Sequence, residues 1–503
     1  MYKLIEPYRA YVYIPFVKSF NKSIYELQSR FKLENIDCSD ISSYIGEILD
    51  QIHLPDFVIR FDKWLRTQQL TVEDRYKLFF KDKEGKWKNG LRYNNEYITA
   101  LAEYICNSTL KNIETFFFRL ISEQSSLINK FNCPPVSTKG SISIIGGDRH
   151  NNGQQPVMLK LGEFKLIYKP RDSGTEKILN DICLIIGCES ICPETLSMKT
   201  HIWQKFIENN CLSSIDKAKN VYRKYGNILA LADMLNINDC HFENFIVDDD
   251  NLWFIDSETS FQYYFTDNPE FEKSIYQSGL LQNPSVFETG IGHTSAITAV
   301  TNIFKSFTYP HAINDGSENI QVRYERGFIK NTHHVPHYQG VLLNAKKYSE
   351  YIIRGYTESF YAIKSKKNEI FECINSNSFI KPRYLIRTTA YYLLVINKII
   401  HPDNSRVMPN ALAFLTDEFL HYNNANPLFT KLIPYEIRCL ANYDIPIFNI
   451  SINSKSLFDG DGKEYFNFFP CTPLQQIDDW FCRDDNYLKR QNQLIHRSIH
   501  AQS

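Results

Sequence analysis

The residues best suited to chemistry lie in one run of the sequence, from Asn238 to Glu258. Asp239 is followed five residues later by Asn244, and Asp256 closes an apolar segment twelve residues after that. Phosphoryl transfer needs a carboxylate beside the attacking hydroxyl and oxygen ligands for magnesium. This spacing supplies both, in the manner of a kinase catalytic loop followed by a metal-binding strand.

Each of these residues can be given a role in such a reaction. Asp239 would orient or deprotonate the hydroxyl, Asn244 and Asp256 would hold the metal, and Glu258 would support it or bind a second ion. The alternative is a polar turn between a helix and a strand, in which Asp and Asn cap the chain ends. A turn does not account for His241, an Asn and two carboxylates around so apolar a strand, and we therefore favour phosphoryl transfer.

A lysine upstream is a candidate nucleotide contact. Lys169 ends a β-like segment, and a strand lysine flanked by apolar residues suits the α- and β-phosphates of ATP. A glutamate of the next helix usually holds such a lysine, and Glu176 is the nearest candidate. Taken alone, Lys169 would be a surface strand residue, and its interpretation depends on Asp239 about 70 residues later. The glycines within 146–153 do not match the protein-kinase glycine loop, so a kinase here would be an atypical one.

Two further groups exceed what a kinase needs. Asp148 and His150 place an acid and a base on the loop before the lysine strand. Arg383 and Arg387, followed by Thr389, could bind a phosphate, because arginine contacts phosphate oxygens bidentately. The alternative for the second group is an ordinary amphipathic helix with a cationic edge.

Composition limits the class of protein that carries these residues. A chain of 503 residues with 43% apolar content is too long and too apolar to be disordered. Its 56 basic and 57 acidic residues argue against binding nucleic acid or an anionic membrane as its main activity. No apolar run approaches the roughly 20 residues that span a bilayer, and the N-terminus does not resemble a signal peptide. We expect a cytoplasmic protein without an integral membrane segment, whose twelve scattered cysteines are reduced and mostly buried.

The apolar pattern divides the chain into three parts. Residues 1–135 are predicted to form a helical cap, because apolar side chains recur at three- and four-residue spacing, interrupted at Pro55 and two glycines, Gly85 and Gly90. Residues 136–200 contain short β-branched segments and are predicted to form a β-rich nucleotide lobe, with strands near residues 141, 157 and 165 and a turn at 151–153 between the first two. Residues 201–503 are predicted to form a mainly helical catalytic lobe, with a long helix over roughly 215–235.

Six motifs occur in the order found in one known family. They are Gly147-Asp148-x-His150-x-x-Gly153, Tyr168-Lys169-Pro-Arg171, Asp239-x-His241-x-x-Asn244, Asp256-x-Glu258, Arg383-x-x-x-Arg387-x-Thr389 and Glu436-Ile-x-x-Leu-x-x-x-Asp444-Ile-Pro446-x-Phe448. Each motif alone is weak, but together they are specific and cover roughly residues 135–500. With these motifs the sequence resembles the dehydratase domain of the class II lanthipeptide synthetases.

The resemblance implies an α+β protein with an atypical, lipid-kinase-like bilobal kinase fold, a helical N-terminal cap and additional helical elements. It implies an enzyme of lanthipeptide (bacteriocin) biosynthesis that uses ATP and Mg²⁺ to phosphorylate Ser and Thr in a ribosomal precursor peptide with an N-terminal leader. The same site then eliminates the phosphate, which gives dehydroalanine or dehydrobutyrine. Elimination needs a base and cationic donors beyond the kinase set.

The resemblance also assigns roles to single residues. Those assigned to catalysis are Asp239, His241, Asp148, His150, Arg383 and Thr389, of which the last four are linked to elimination or to handling the phosphopeptide. Those assigned to the nucleotide are Lys169, Arg171 and Glu176. Those assigned to the metal are Asn244, Asp256 and Glu258.

Two departures from the family change what is expected. Full-length members continue into a zinc cyclase domain, whereas this sequence ends at Ser503, so we expect a stand-alone dehydratase. Any ring closure would then need a separate cyclase as partner or would proceed unaided, and an export transporter is a further expected partner. The family has an arginine after Gly153, where this sequence has Gln154. Two alternatives stay open: a kinase that stops at phosphorylation, and a non-catalytic leader-binding scaffold on an inactive kinase-like fold.

Overall fold

The fold comprises two compact units, each assembled from three segments of the chain. The computed structural model describes residues 14–67, 75–80, 95–171, 173–263, 275–284, 294–298, 303–329, 332–422 and 427–501. Unit 1 consists of Met1–Pro170, Phe307–Gly327 and Arg387–Pro446, and unit 2 consists of Arg171–Ser306, Phe328–Ile386 and Ile447–Ser503. Both units mix helices and small sheets, which confirms the α+β class.

The described residues form the following elements in chain order. The α-helices are α1 (Ile14–Phe31), α2 (Ser39–Thr67), α3 (Arg75–Phe79), α4 (Glu96–Ser122), α5 (Gln124–Phe131), α6 (Thr175–Ile185), α7 (Lys217–Leu235), α8 (Ser349–Ser365), α9 (Lys367–Ser376), α10 (Thr389–Ile399), α11 (Met408–Tyr422), α12 (Pro427–Thr430), α13 (Ile433–Ala441), α14 (Pro473–Trp480) and α15 (Asp485–His500). The strands are β1 (Ile36–Asp37), β2 (Gly140–Ile144), β3 (Val157–Leu161), β4 (Phe164–Lys169), β5 (Thr195–Ser197), β6 (Ile202–Lys205), β7 (Phe245–Asp248), β8 (Asn251–Phe254), β9 (Ile303–Ile313), β10 (Gln321–Ile329), β11 (His337–Tyr338), β12 (Val341–Leu342), β13 (Arg383–Tyr384), β14 (Phe448–Ile450), β15 (Leu457–Asp459) and β16 (Glu464–Tyr465).

Helices α1, α2 and α4 pack against one another in unit 1. In α4 the buried residues Ile98, Leu101 and Ile105 follow helical spacing, and the Asn95 side chain caps the helix by accepting from the Ile98 N–H. The expected interruption at Pro55 is wrong, because α2 continues through this proline. Proline removes one backbone donor, but burial of the helix on both sides of it outweighs that loss. Two other expected interruptions, at glycines 85 and 90, lie outside the described residues.

Strands β1 to β4 lie side by side in unit 1, with β1 parallel to β2 and the other neighbours antiparallel. In β3 the residues Val157, Leu159 and Leu161 are buried and alternate with half-buried ones, as a sheet with one covered face requires. The strands predicted near 141, 157 and 165 are confirmed. The turn predicted between the first two is confirmed as well, with Asn151, Asn152 and Gly153 all in the left-handed region.

Helices α7 and α8 form the closest helix pair of unit 2. A Cβ at Gly226 of α7 would lie 2.1 Å from the Ile352 carbonyl oxygen, and a Cβ at Gly355 of α8 would lie 2.1 Å from the Arg223 carbonyl oxygen. Two glycines therefore let the helix backbones touch. The helix predicted over 215–235 is confirmed by α7.

The part predicted as mainly helical, 201–503, holds more strand than expected. Strands β13 to β16 form an antiparallel sheet in unit 2, and β9 and β10 form a two-stranded sheet. Strands β13 to β16 have two or three residues each and are too short to give a period-2 signal, whereas β9 and β10 are long and were not predicted. The proposed boundaries near 135 and 200 stay predictions.

The cysteines were predicted to be reduced and mostly buried, and the structure agrees in part. All twelve cysteines are free, and six of them are buried: Cys38, Cys106, Cys133, Cys183, Cys192 and Cys240. Among the helices of the described residues, none is long and apolar enough to cross a membrane.

Candidate functional site

The β7–β8 hairpin positions Asn244 and Asp256. Asn244 directly precedes β7 and Asp256 follows β8 by two residues, and Phe245 pairs with Phe254 in the register between them. The two phenylalanine rings stack with centroids 4.8 Å apart, and the Ile255 N–H donates to the Asn244 carbonyl oxygen at 2.9 Å. The two predicted metal ligands therefore emerge at the same end of a buried hairpin.

The loop that carries Asp239 is tied to this hairpin. Asp239 has a left-handed backbone with φ of 60°, which is uncommon for a residue other than glycine. The Asn244 side-chain amide donates to the Asp239 carbonyl oxygen at 2.8 Å. The Thr259 hydroxyl donates to the Asn238 carbonyl oxygen at 2.6 Å, and the Asn238 N–H donates to the Thr259 carbonyl oxygen at 3.0 Å. Strained conformations held in this way are concentrated at functional sites.

The surroundings of Asp239, above all the loss of water around it, raise the affinity of its carboxylate for a proton. Although 42% of the side chain is accessible to solvent, loss of water to the surrounding protein raises the pKa of Asp239, and the carboxylates of Asp256 and Glu258 add to that rise. His241, whose Nε2 lies 3.8 Å from the Asp239 Oδ1, and Arg383 oppose it. A carboxylate with a raised pKa is suited to accept a proton during catalysis.

Glu258 lies between two arginines. Its Oε1 accepts from Arg383 Nη1 at 2.9 Å and its Oε2 pairs with Arg171, while only 6% of its side chain is exposed. The Arg383 N–H also donates to the Glu258 carbonyl oxygen at 2.8 Å, and Arg171 Nη2 lies 3.9 Å from Asp256 Oδ2. The structure thus brings Arg383, assigned to elimination, together with the carboxylates assigned to phosphoryl transfer. The metal-binding role of Glu258 stays a prediction.

Glu176 lies buried in the first turn of α6. The hydroxyls of Ser173 and Thr175 donate to its Oε2 at 3.3 and 3.4 Å, and the Thr175 hydroxyl lies 3.1 Å from that of Ser257. These contacts connect Glu176 to the segment that carries the two carboxylates after β8. Lys169 ends β4 in unit 1, as expected for a strand lysine, and its pairing with Glu176 stays a prediction.

The residues assigned to elimination in unit 1 also contact one another. Thr389, the first residue of α10, donates its hydroxyl to Asp148 Oδ2 at 3.1 Å. The neighbouring Thr388 caps the same helix by accepting from a backbone N–H. His150 is buried, and its Nδ1 lies 2.8 Å from the Ile445 carbonyl oxygen. The loop at residue 148 and the start of α10 therefore form one cluster.

Two buried ion pairs of unit 1 were not predicted. Arg387 Nε donates to Glu436 Oε1 at 2.8 Å, and the Tyr392 hydroxyl donates to the same oxygen at 2.7 Å. The Arg387 guanidinium, which was expected to bind phosphate, is therefore paired with the Glu436 carboxylate of the same unit. The second pair joins Arg149 and Asp444. Both acids, Glu436 and Asp444, belong to the last of the six motifs in the sequence. Nothing in that motif indicated which arginines they would pair with.

The side chains near the hairpin fit magnesium better than a tightly ligated metal. Within the ranges that the structure covers, no three His, Cys, Asp or Glu side chains are grouped so that they could hold a metal ion. Magnesium is usually held by one or two carboxylates together with waters and phosphates. Asp256 supplies a carboxylate that is 34% exposed. The Asn244 amide nitrogen is taken by Asp239, and its oxygen accepts no hydrogen bond from the described residues.

Comparison with known proteins places this region in a family. Residues 97–451 match the profile of a domain of unknown function, DUF4135, and this range contains every candidate site residue named above. The chain belongs to the DUF4135 family. It is also 24% identical, over 465 residues, to the lacticin 481/lactococcin biosynthesis protein LcnDR2 of Lactococcus lactis subsp. lactis. That similarity covers 86% of this chain but 49% of the relative, so this DUF4135 protein spans about half the length of the curated relative.

Proposed function

We propose that this DUF4135 protein is an ATP-dependent dehydratase that acts on Ser and Thr of a ribosomal precursor peptide in lanthipeptide-type biosynthesis. The similarity to a lacticin 481/lactococcin biosynthesis protein supports a role in modifying such a peptide. The observation that carries the mechanism is the β7–β8 hairpin, which places Asn244 and Asp256 beside the strained Asp239 loop. A kinase-like fold is part of the proposal.

The first half-reaction is phosphoryl transfer. The substrate hydroxyl attacks the γ-phosphorus of ATP, its proton passes to Asp239, and the bond to the β-phosphate oxygen breaks to release ADP. Asn244 and Asp256 would hold Mg²⁺, which supplies positive charge to the phosphate oxygens. Lys169 and Arg171 would contact the nucleotide phosphates, with Lys169 as a fixed positive charge.

The second half-reaction is elimination. A base removes the Cα proton, the Cβ–O bond breaks with its electron pair leaving on the phosphate, and a Cα–Cβ double bond forms. His150 Nδ1 faces a carbonyl oxygen, to which it can only donate, so the neutral ring carries its lone pair on Nε2. That arrangement suits His150 to accept a proton. Arg383 would stabilise the departing phosphate.

Mass spectrometry of a treated peptide tests the proposal and separates it from its two alternatives. The protein is incubated with ATP, Mg²⁺ and the short Ser-, Thr- and Cys-rich peptides encoded beside its gene, each with its leader intact. A dehydratase removes one water for each modified residue. A kinase that stops early leaves phosphopeptide, and a scaffold binds the peptide without changing its mass.

A further inference from the structure

Arg149 is buried within the loop that carries Asp148 and His150. Only 4% of its side chain is exposed, and its guanidinium points into unit 1. Nη2 donates to the Ser108 hydroxyl at 2.8 Å and Nη1 to the Thr109 hydroxyl at 3.2 Å, both on α4. Asp148 and His150 therefore flank a side chain that is anchored to helix α4.

Asp444 supplies the opposite charge and binds the far end of the same loop. Its Oδ1 lies 3.6 Å from Arg149 Nε, and its Oδ2 accepts from the Gly153 N–H and the Tyr104 hydroxyl, each at 3.2 Å. The Tyr104 hydroxyl also lies 3.1 Å from Asn152 Oδ1. Burial raises the pKa of the Asp444 carboxyl, and the charge of Arg149 opposes that rise.

The shape of the loop depends on these contacts. A Cβ at Gly153, where φ is +76°, would lie 2.2 Å from Arg149 Nη2, so the turn closes directly on the guanidinium. The Ile445 N–H donates to the Arg149 carbonyl oxygen at 2.7 Å, while the Ile445 carbonyl oxygen contacts His150 Nδ1. One buried ion pair thus fixes both ends of the segment between Asp148 and Gly153.

We propose that Arg149 and Asp444 are positioning residues, which hold the loop so that Asp148 meets Thr389 and His150 presents its Nε2 for elimination. This inference rests on the proposed function. Neither residue needs to touch the peptide or the phosphate. A displacement of about 1 Å in a catalytic group can cost about 100-fold in rate, so a loosened loop should slow elimination while leaving phosphoryl transfer, which depends on Asp239 and its hairpin, near the wild-type rate.

Three variants separate positioning from simple stabilisation. Asp444→Asn leaves the arginine buried without its counter-charge, which is strongly destabilising. Tyr104→Phe removes one donor and is a milder perturbation that should fold. The double variant Arg149→Met with Asp444→Leu removes both charges, and such apolar replacement of a buried pair often restores stability. Asp56→Asn is the control, because Asp56 is another buried acid of unit 1 whose partners, Arg60 and Asn95, lie outside the loop.

Each variant is measured in three ways: melting temperature, hydrogen–deuterium exchange of residues 147–153, and the ratio of phosphorylated to dehydrated product on the peptide that the wild type dehydrates. We expect Asp444→Asn to speed exchange in the loop and to slow elimination by about 100-fold, and Tyr104→Phe to act in the same direction more weakly. The double variant should regain the melting temperature but not the loop protection or the elimination rate. Asp56→Asn should lower the melting temperature and leave the product ratio unchanged.

Two results would overturn the inference. If the double variant recovers elimination together with its melting temperature, the pair only stabilises the unit. If Asp444→Asn leaves loop exchange as in the wild type, the pair does not hold the loop. Should the wild type dehydrate no peptide, the proposed function fails, and the exchange measurement alone then decides whether the pair holds the loop.

Discussion

Asp239, Asn244 and Asp256 are brought together by short-range backbone geometry. The β7–β8 hairpin reverses the chain within a few residues. Asn244, which precedes β7, and Asp256, which follows β8, therefore lie at the same end of the hairpin. The sequence predicted this group from its kinase-like spacing, but it did not predict the hairpin that brings Asn244 and Asp256 to one end. The engagement of Glu258 by Arg171 and Arg383 was not predictable, because those arginines are distant along the chain.

Removing a metal ligand should stop phosphoryl transfer. Asp256→Ala is expected to lower the transfer rate by more than the roughly 100-fold typical of losing an outer partner of a metal site. The reason is that Mg²⁺ loses a protein ligand, so the negative charge of the phosphates is no longer neutralised. Asp248→Ala, at the opposite end of the same hairpin, is the matched control and should retain activity. Phosphate incorporation from labelled ATP measures both. Equal rates for Asp256→Ala and the wild type would show that the metal assignment is wrong.

The hydrogen bond from Thr389 to Asp148 should matter for elimination alone. A hydrogen bond to a charged group contributes about 1.5–3 kcal/mol, which corresponds to roughly 10- to 100-fold in rate. Thr389→Ala should therefore accumulate phosphopeptide, and Thr389→Ser, which keeps the hydroxyl, should largely restore dehydration. Time courses of the two products by mass spectrometry give the comparison. If both half-reactions slow equally in Thr389→Ala, this threonine supports the fold or binds substrate instead.

At the scale of elements, local pattern predicted helices and the strands β2 to β4, but it missed the short strands β13 to β16 and also the two longest, β9 and β10. Strands β2, β3 and β4 were predicted from short segments that contain β-branched and other apolar residues, and α7 was predicted as a long helix. Strands β13 to β16 are held by their partners rather than by their own residues. Helix α2 continues through Pro55 for the same reason, since packing of its buried faces decides the outcome.

Contact between α7 and α8 should be sensitive to one methyl group. Gly226→Ala or Gly355→Ala places a Cβ against a carbonyl oxygen of the partner helix, and such overpacking costs about 1–3 kcal/mol. Asn220→Ala, on an exposed position of α7, is the control and should not destabilise. Thermal unfolding followed by circular dichroism is sufficient to test this. Unchanged melting in both glycine variants would mean that the helices can separate without cost.

A buried histidine in α2 should make the folded protein less stable as the pH falls. Burial lowers the pKa of His53 to about 4, against 6.5 for an ordinary histidine. Between these values the unfolded chain binds the proton more readily, so stability present above pH 6.5 is lost as the pH falls toward 4, by up to about 3 kcal/mol. His53→Leu should flatten this slope in urea unfolding curves. His421→Gln should not, because His421 makes the same contact with a carbonyl oxygen four residues earlier but is exposed. A slope unchanged in His53→Leu would assign the pH dependence to other groups.

At the scale of the whole molecule, the chain leaves and re-enters each unit. The segment from 387 to 446 joins the N-terminal residues in unit 1, whereas the segment from 447 onward joins unit 2. Sequence patterns report neighbours within a segment, and they cannot show which distant segments pack together. The candidate residues are therefore spread over both units: Asp239, Asn244, Asp256, Glu258 and Arg383 lie in unit 2, whereas Asp148, His150, Lys169 and Thr389 lie in unit 1.

The central claim, that this protein dehydrates a peptide through a phosphorylated intermediate, is tested most directly by the intact mass of its peptide substrate. We expect the wild type, with ATP and Mg²⁺, to remove one water from each modified Ser or Thr, and Asp256→Ala to leave the mass unchanged. Omission of either ATP or Mg²⁺ should also abolish the change. A wild-type product that retains its phosphoryl groups, or a peptide that is bound but never modified, would contradict the claim.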